Sequence, residues 1–495
     1  MRPSLSSLPA ELIDHIISSI QQPHLVNLAL VSQEFNAFTT PHLYRDVHLK
    51  RQFFNNGSTE HLLPFTFLVL QKPRIASLVH SFTLSYQNEG PEREPQYSWP
   101  GGSGDLHNAL KPVIEAAAHS SEAELELINL VLGESTAVLT LLLPALHKLR
   151  RLSMTFGAYN DGGDDEDKYV LDKYLSPLLQ RAGARQTPFD THPGFTELTD
   201  IMINGYGREN FTRPDSLLAC CTLPAVERIY GHGLRNEPED DVTRLMAKLP
   251  TKSWNIVSIE LRRSKLHPAV FSKLLAACKK LKTLIYELYC TSWVWDLVHI
   301  HGIRDALEPH EEWMEELCLV QEYSYDCETD GELVALSFKA FKSLKHLKVA
   351  AVYLFGHQSS CPMSSTRLVG RLPESLHKLH ITFGGHVLSL VWVADALEEL
   401  LRWSEMSVPN LKELVLEGEF EGCENTQALL DGLARILRVA DAKHIKTVVL
   451  HVSLHVSDEC GVEERAWGID EKVRWGGGLL TNNLSTQRTM LNVRR

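Results

Sequence analysis

The sequence predicts an α/β fold: a small N-terminal helical module followed by an irregular solenoid, with parallel strands on a concave face and helices outside. Three observations carry that expectation. Within the first 49 residues, apolar positions recur at helical spacing around Pro9, Pro23 and Pro41. From residue 79 onward a six-residue pattern, apolar-x-x-apolar-x-apolar, returns again and again. Between its copies the apolar period changes from strand-like to helix-like, which a stack of strand–helix units requires.

The elements follow in chain order. "SLPAELIDHII" opens a helix, with Pro9 in the first turn, where a missing N–H costs nothing, and Glu11 near the positive helix end. Leu12, Ile16 and Ile20 make one i, i+4 row and Ile13 and Ile17 an adjacent one. Together they exceed the single stripe of an ordinary surface helix. A second helix follows Pro23 and carries Leu25, Leu28 and Val31. Ser32 is placed to cap a third carrying Phe35 and Phe38, and Thr40-Pro41 opens one more turn through Leu43 and Tyr44. Val47 and Leu49 alternate like a short strand. Such a module is too small to bury all this apolar surface by itself, so one row closes its own core and the other waits for a cover.

The recurring pattern begins at residues 79, 149, 198, 256, 281, 314, 344, 376, 411 and 445, with a weaker copy, "VERIYG", at 226. From 198 onward the starts lie 28, 30, 25, 33, 30, 32, 35 and 34 residues apart. Helical period fills the gaps: Val242, Leu245, Met246 and Leu249; Val270, Leu274, Leu275 and Cys278; Leu397, Leu400 and Leu401; Leu429, Leu430, Leu433, Ile436 and Leu437. Pro224, Pro373 and Pro409 mark passages from helix to strand. A unit of this kind buries its faces only against stacked neighbours. Because strand side chains alternate, the residues interleaved with the apolar ones are expected to face outward on the concave side. That set, Arg228, Glu260, Arg262, Glu287, Lys348, His380, Glu417 and His451, is the expected client-binding surface. The stretches 88–105 and 158–170 read as loops, the second strongly acidic. The resulting division is 1–49 helical module, 50–75 linker helices, 76–455 array of about eleven repeats, and 456–495 cap or tail.

"LPAELIDHII", "LALVSQEFNAF" and "TPHLYRDVHL" resemble an F-box of the version common in fungal proteins, covering residues 5 to 49. The array behind it resembles leucine-rich repeats, although the units are longer than usual. The Asn or Cys expected after the last apolar position is replaced, for example, by Gln87, Gly157, Tyr206, Ser264 and Glu322. The backbone at that turn must then be satisfied in another way. The F-box resemblance implies binding to the Skp adaptor of a cullin–RING ubiquitin ligase. Carried over by position, Leu8, Pro9, Leu12 and Ile16 would touch the adaptor, with Leu25, Leu28 and Val31 in support. "QQPH" between the first two helices departs from the acidic residue many members carry there. The implied function is a substrate-recognition subunit, with ubiquitin transfer performed by other subunits on a client held by the array. An adaptor-bound scaffold that never recruits the cullin is the alternative, and a hydrolase-like enzyme a distant third.

Enzyme chemistry has little support in the residues. "HEEWM" at 310 begins like a zinc-protease helix but ends on Met314, so the second metal ligand is missing. His299 with His301, and His451 with His455, are pairs that a chain with 23 histidines produces without purpose. "GGSG" at 101 and "GYG" at 205 lack the context of a phosphate cradle, and no G-x-S-x-G elbow occurs. No catalytic residue, metal site or cofactor is expected. A net charge of −13 disfavours a nucleic-acid partner. The longest apolar run, near Val138 to Leu146, is too short and too interrupted to span a membrane. Nine cysteines without paired spacing, and no secretion signal at the start, point to a reducing cytoplasmic or nuclear setting.

Overall fold

A computed structural model of the chain describes residues 8–52, 61–87, 110–111, 114, 135–156, 170–191, 193–205, 214–235, 252–288, 300–321, 335–356, 368–383, 390–418, 426–456 and 484–490. The chain separates into two compact units, Met1–Asn204 with Asp215–Val226, and Gly205–Pro214 with Glu227–Arg495.

The first unit opens with three helices, α1 (Ala10–Ser18), α2 (Gln22–Ala29) and α3 (Gln33–Arg45), which run directly into strand β1 (Asp46–Gln52). The turn expected at Thr40-Pro41 is not a new element. Pro41 lies inside α3, where the hydroxyls of Thr39 and Thr40 bond back to the carbonyls of Phe35 and Asn36 at 2.7 and 2.6 Å. β1 pairs in parallel with β2 (Ser81–Gln87), and β2 with β3 (Arg151–Phe156); β4 (Asp200–Gly205) lies next to β3. Helices α4 (Leu62–Gln71) and α5 (Pro73–Ala76) occupy the expected linker region but are not a linker. Leu62, Leu63, Phe65 and Val69 of α4 are buried, and Phe65 stacks on Phe82 of β2 with ring centroids 6.2 Å apart. α4 packs beside α6 (Ser135–Ala145), α6 beside α7 (Val170–Gly183), and α7 beside α8 (Asp215–Cys221).

The second unit carries parallel strands β5 (Arg228–His232), β6 (Ser258–Ser264), β7 (Thr283–Leu288), β8 (Glu316–Gln321), β9 (His346–Ala350), β10 (Lys378–Phe383), β11 (Glu413–Gly418) and β12 (Lys446–Val456), each beside the next. β13 (Leu484–Met490), which no period in the sequence signals, runs antiparallel to β12. Between the strands stand α9 (Pro268–Ala277), α10 (Ile300–Leu307), α11 (Ala351–Phe355), α12 (Leu390–Arg402), α13 (Ser404–Ser407) and α14 (Thr426–Ala442). α9 packs on α10, and α12 on α14. Phe271 of α9 stacks on Tyr286 of β7 at 4.6 Å, which fixes the face of the sheet that the helices cover. The helix expected around Val242 to Leu249, the loop 88–105, all of 158–170 but Val170, which begins α7, and most of the tail lie outside the described residues.

All eleven copies of the repeated pattern are strands, and their apolar positions form the core. The first apolar residue of each copy, from Val79 through Leu149, Leu198, Val226, Ile256, Leu281, Met314, Leu344, Leu376 and Leu411 to Ile445, is buried. The weak copy is explained by its last position. A side chain on Gly231 would meet Leu234 Cδ1 at 2.5 Å and Leu261 Cδ2 at 2.9 Å, so Leu234 fills that place from the following turn.

The strands enter the sheet through main-chain bonds at their N-terminal ends. In eight copies, two in the first unit and six in the second, the carbonyl of the residue after the first apolar position accepts the N–H groups of two consecutive residues of the next copy; Lys412 O receives one, from Lys446. His80 O receives Arg150 and Arg151, and Arg150 O receives Thr199 and Asp200. In the second unit Lys282 O receives Glu315 and Glu316, Glu315 O receives Lys345 and His346, Lys345 O receives His377 and Lys378, and His377 O receives Lys412 and Glu413. All lie between 2.8 and 3.2 Å. The side chains at these positions pair only on the surface, as Glu315 does with Lys282 and Lys345 at 3.0 and 2.8 Å. Lys345→Pro removes a ladder N–H and is expected to destabilise the second unit by about 2 kcal/mol or more. Lys345→Ala, which loses an exposed ion pair, should cost about 1 kcal/mol or less. Urea unfolding of the two variants checks the difference.

Candidate functional site

Two surfaces hold the residues singled out from sequence, one in each unit. In the first unit, α1 starts immediately after Pro9, whose carbonyl receives the N–H groups of Leu12 and Ile13 at 3.0 and 3.2 Å. Ser32 caps α3, accepting from Phe35 N at 3.1 Å. His42 Nε2 lies 2.8 Å from Asp14 Oδ1, tying α3 to α1, and Gln22 Nε2 donates to Leu43 O at 3.0 Å, tying α2 to the end of α3. These ties frame a small core of Ile13, Ile17 and Leu25, with Leu8, Ile20, Leu28, Phe38 and Leu43 packed around it.

The two rows of α1 therefore part company. Ile13 and Ile17 are sealed, while Leu12 is 50% and Ile16 37% exposed. Pro9 and Val31 are exposed too, Leu8 and Leu28 are half-buried, and Leu25 is buried in the module's own core, where it holds α2 in place and offers no surface. Val26 at 50% and Leu30 at 80% exposure join the open apolar group, which sequence reading missed. Their spacing of four along α2 was the available signal.

In the second unit the outward-facing set is mostly not outward. It does occupy the sheet face opposite the apolar pattern, as alternation requires. Yet Arg262, Glu287, His380 and Glu417 are buried, and Glu260 and Lys348 keep only 12% and 15% of their side chains exposed. Arg228 is exposed at the start of β5. His451 falls in β12, with its side chain outside the described residues. The physical reason is pairing across strands. Opposite charges on neighbouring strands stand close enough to cover each other.

Two groups result. In the first, the Arg262 guanidinium donates to both Glu260 and Glu287. A register shift in β6 between Leu261 and Ser264, with Arg263 at φ 46°, accompanies this placement. Burial alone would lower the Arg262 pKa, but the two carboxylates hold it above the ordinary guanidinium value. In the second, Lys348 Nζ and His380 Nε2 both approach Glu417 Oε2, at 3.3 and 2.6 Å. Burial, helped by Lys348, pushes His380 down to about 4 against the opposing pull of Glu417, so the imidazole is neutral near pH 7. Cys318 sits on the strand between the groups, directly beside Lys348 in register, and burial pushes its thiol up to about 12.

The histidine of "HEEWM" has a structural job. His310 ends a 3₁₀ turn, is buried, contacts Leu275 O through Nε2 at 2.9 Å and receives Leu281 N at Nδ1 at 3.5 Å. Burial lowers its pKa as well. Cys220, Cys221, Cys278 and Cys318 are free and buried; the other cysteines lie outside the described residues. Among the described residues no group of three or more His, Cys, Asp or Glu side chains could hold a metal, and no helix is long and apolar enough to cross a membrane. No family model matches the chain, and no curated protein matches it significantly.

His310 and His380 both have folded-state pKa values below the ordinary imidazole value of 6.5, so the fold disfavours their protonation. Their contribution to stability is complete above pH 6.5 and is lost as the pH falls, through about 4 for His380. The urea midpoint of the second unit is therefore expected to drop over that window. The drop should be shallower in His380→Leu, a comparison that tryptophan fluorescence can follow.

Proposed function

We propose that this chain is a receptor subunit of a cullin–RING ubiquitin ligase: its N-terminal module docks on the Skp adaptor, and its strand–helix array holds a client protein. One observation carries the reading. The three-helix module closes a complete small core around Ile13, Ile17 and Leu25, yet leaves Leu12, Ile16, Val26, Leu30 and Val31 open to solvent. Such a cluster on a 13-residue-or-shorter set of helices is larger than single surface hydrophobics require, and it marks a place that another protein covers.

The resemblance of "LPAELIDHII" and "LALVSQEFNAF" to an F-box names the partner, and the exposed residues Leu12, Ile16 and Val31 are among those the resemblance assigns to adaptor contact. Catalysis in this reading belongs to other subunits. This chain contributes proximity, by holding the client where ubiquitin transfer occurs.

A Leu12→Glu, Leu30→Glu double variant is expected to lose co-purification with the Skp adaptor, by about 100-fold or more, while its circular dichroism stays unchanged. Retained binding would defeat the docking assignment. In contrast, Ile17→Ala should melt the module itself, at a cost of about 2–5 kcal/mol, because its side chain is sealed in the small core.

A further inference from the structure

The group around His380 has a polar atom that the fold leaves unused. His380 is 1% exposed. Its Nε2 is 2.6 Å from Glu417 Oε2, and its Nδ1 meets no partner among the described residues. A buried polar atom without a partner is costly, and native structures rarely keep one without a use. With the proton assigned to Nε2, which faces the negative oxygen, Nδ1 is a bare acceptor.

The neighbours define what that acceptor could receive. Register places Cys318, Lys348, His380 and Val415 side by side on β8 to β11, and Ala350, Thr382 and Glu417 side by side one step further along. Lys348 brings three ammonium donors, of which Glu417 takes one at 3.3 Å, and its side chain is the member of the group that reaches solvent. Thr382 adds a hydroxyl on the same face. Ala350 and Thr382, both small, leave the second row low between the longer side chains.

We propose that this part of the strand face is a specificity site for a side-chain carboxamide, Asn or Gln, of the client protein. A carboxamide supplies an N–H to His380 Nδ1 and a carbonyl oxygen to the Lys348 ammonium at the same time. A carboxylate meets the lone pair of Nδ1 and the negative charge of Glu417. An ammonium or guanidinium meets Lys348. An aliphatic group leaves both polar atoms unpaired. Entry displaces the Lys348 stem, which is flexible and partly exposed, and leaves the Glu417 contacts beneath it in place. Specificity of this kind comes mainly from the rejected alternatives, since a site built to hydrogen-bond discriminates strongly against groups that cannot.

This inference rests on the client-receptor reading, and its test is separate from the adaptor test. The full-length chain is panned against a random peptide library. Peptides recovered with the wild type are expected to share Asn or Gln at one fixed position. Capture of those peptides should fall about tenfold in His380→Leu, as loss of one well-aligned bond implies. Lys348→Met, which keeps the imidazole and removes the ammonium that receives the carbonyl oxygen, should lower capture as well and decides the matter should His380→Leu fail to fold. The Leu12→Glu, Leu30→Glu variant should capture the same peptides as the wild type. Convergence on Asp, Glu, Lys, Arg or an aliphatic residue overturns the proposal. So does equal capture by folded His380→Leu, or the absence of any convergence. Failure of adaptor binding with intact carboxamide selection would sink only the docking reading, and the converse would sink only this one.

Discussion

Within each unit, one backbone carbonyl in most repeats ties a strand to the next. It accepts two consecutive N–H groups of the next repeat, and those two residues are the ones that enter the next strand. The bond thus sets both the register of the strand and the moment at which the chain turns into it. An unpaired buried carbonyl here would cost what any lost buried hydrogen bond costs, and the loss would repeat at every such copy. Around this staple the apolar positions are committed: the residue before it is buried in every copy, and the residues two and four positions beyond it line the helix-covered face. Long and unequal helical connections are tolerated because none of them takes part in the staple.

The same staple explains why the repeats can be irregular. A side-chain ladder demands one residue type at one position and so constrains sequence and spacing together. A main-chain ladder demands only a peptide group. The stapling positions accordingly carry His80, Arg150, Glu227, Val257, Lys282, Glu315, Lys345 and His377, with no shared chemistry. Their side chains are free to pair on the surface, as Arg150 does with Glu197, or Lys345 with Glu315. Those pairs are exposed and add little to stability.

The opposite face of the second unit follows a different logic. Charged side chains interleaved with apolar ones are drawn into two self-neutralising groups, one around Arg262 and one around Glu417. Buried ion pairs of this sort add little net stability over apolar packing, but removing one partner strands the other. They are better understood as fixing which strands stand beside which. His380 differs from the rest of the group: it is neutral, fully buried and incompletely bonded, so it carries the cost of a polar atom without the return of a saturated pair. In the first unit the unsatisfied surface is apolar. There the three helices are too short to wrap Leu12, Ile16, Val26, Leu30 and Val31 around a core already closed by Ile13, Ile17 and Leu25.

The sequence by itself determined the strands and their inward faces, because a period of two with three apolar positions leaves only one way to bury them; ten of the eleven copies obey it, and in the last Val448 and Leu450 are half-buried. It also determined that α1 has one apolar row too many, because two adjacent i, i+4 rows cannot both point into a three-helix core. Spacing alone left undecided which row is open, since Ile13 and Leu12 are equivalent by period, although the resemblance assigned Leu12 and Ile16 to the partner; the packing of α2 and α3 leaves Leu12 and Ile16 outside. The continuation of α3 through Pro41, and the packing of Phe65 on Phe82, were likewise decided by partners distant in sequence. The backbone staple left no trace in residue type, because a carbonyl is common to every residue. The burial of Arg262, Glu287, His380 and Glu417 was hidden for a related reason: alternation assigns a side chain to a face, but whether that face is wet depends on charges on neighbouring strands, some 25 to 70 residues away.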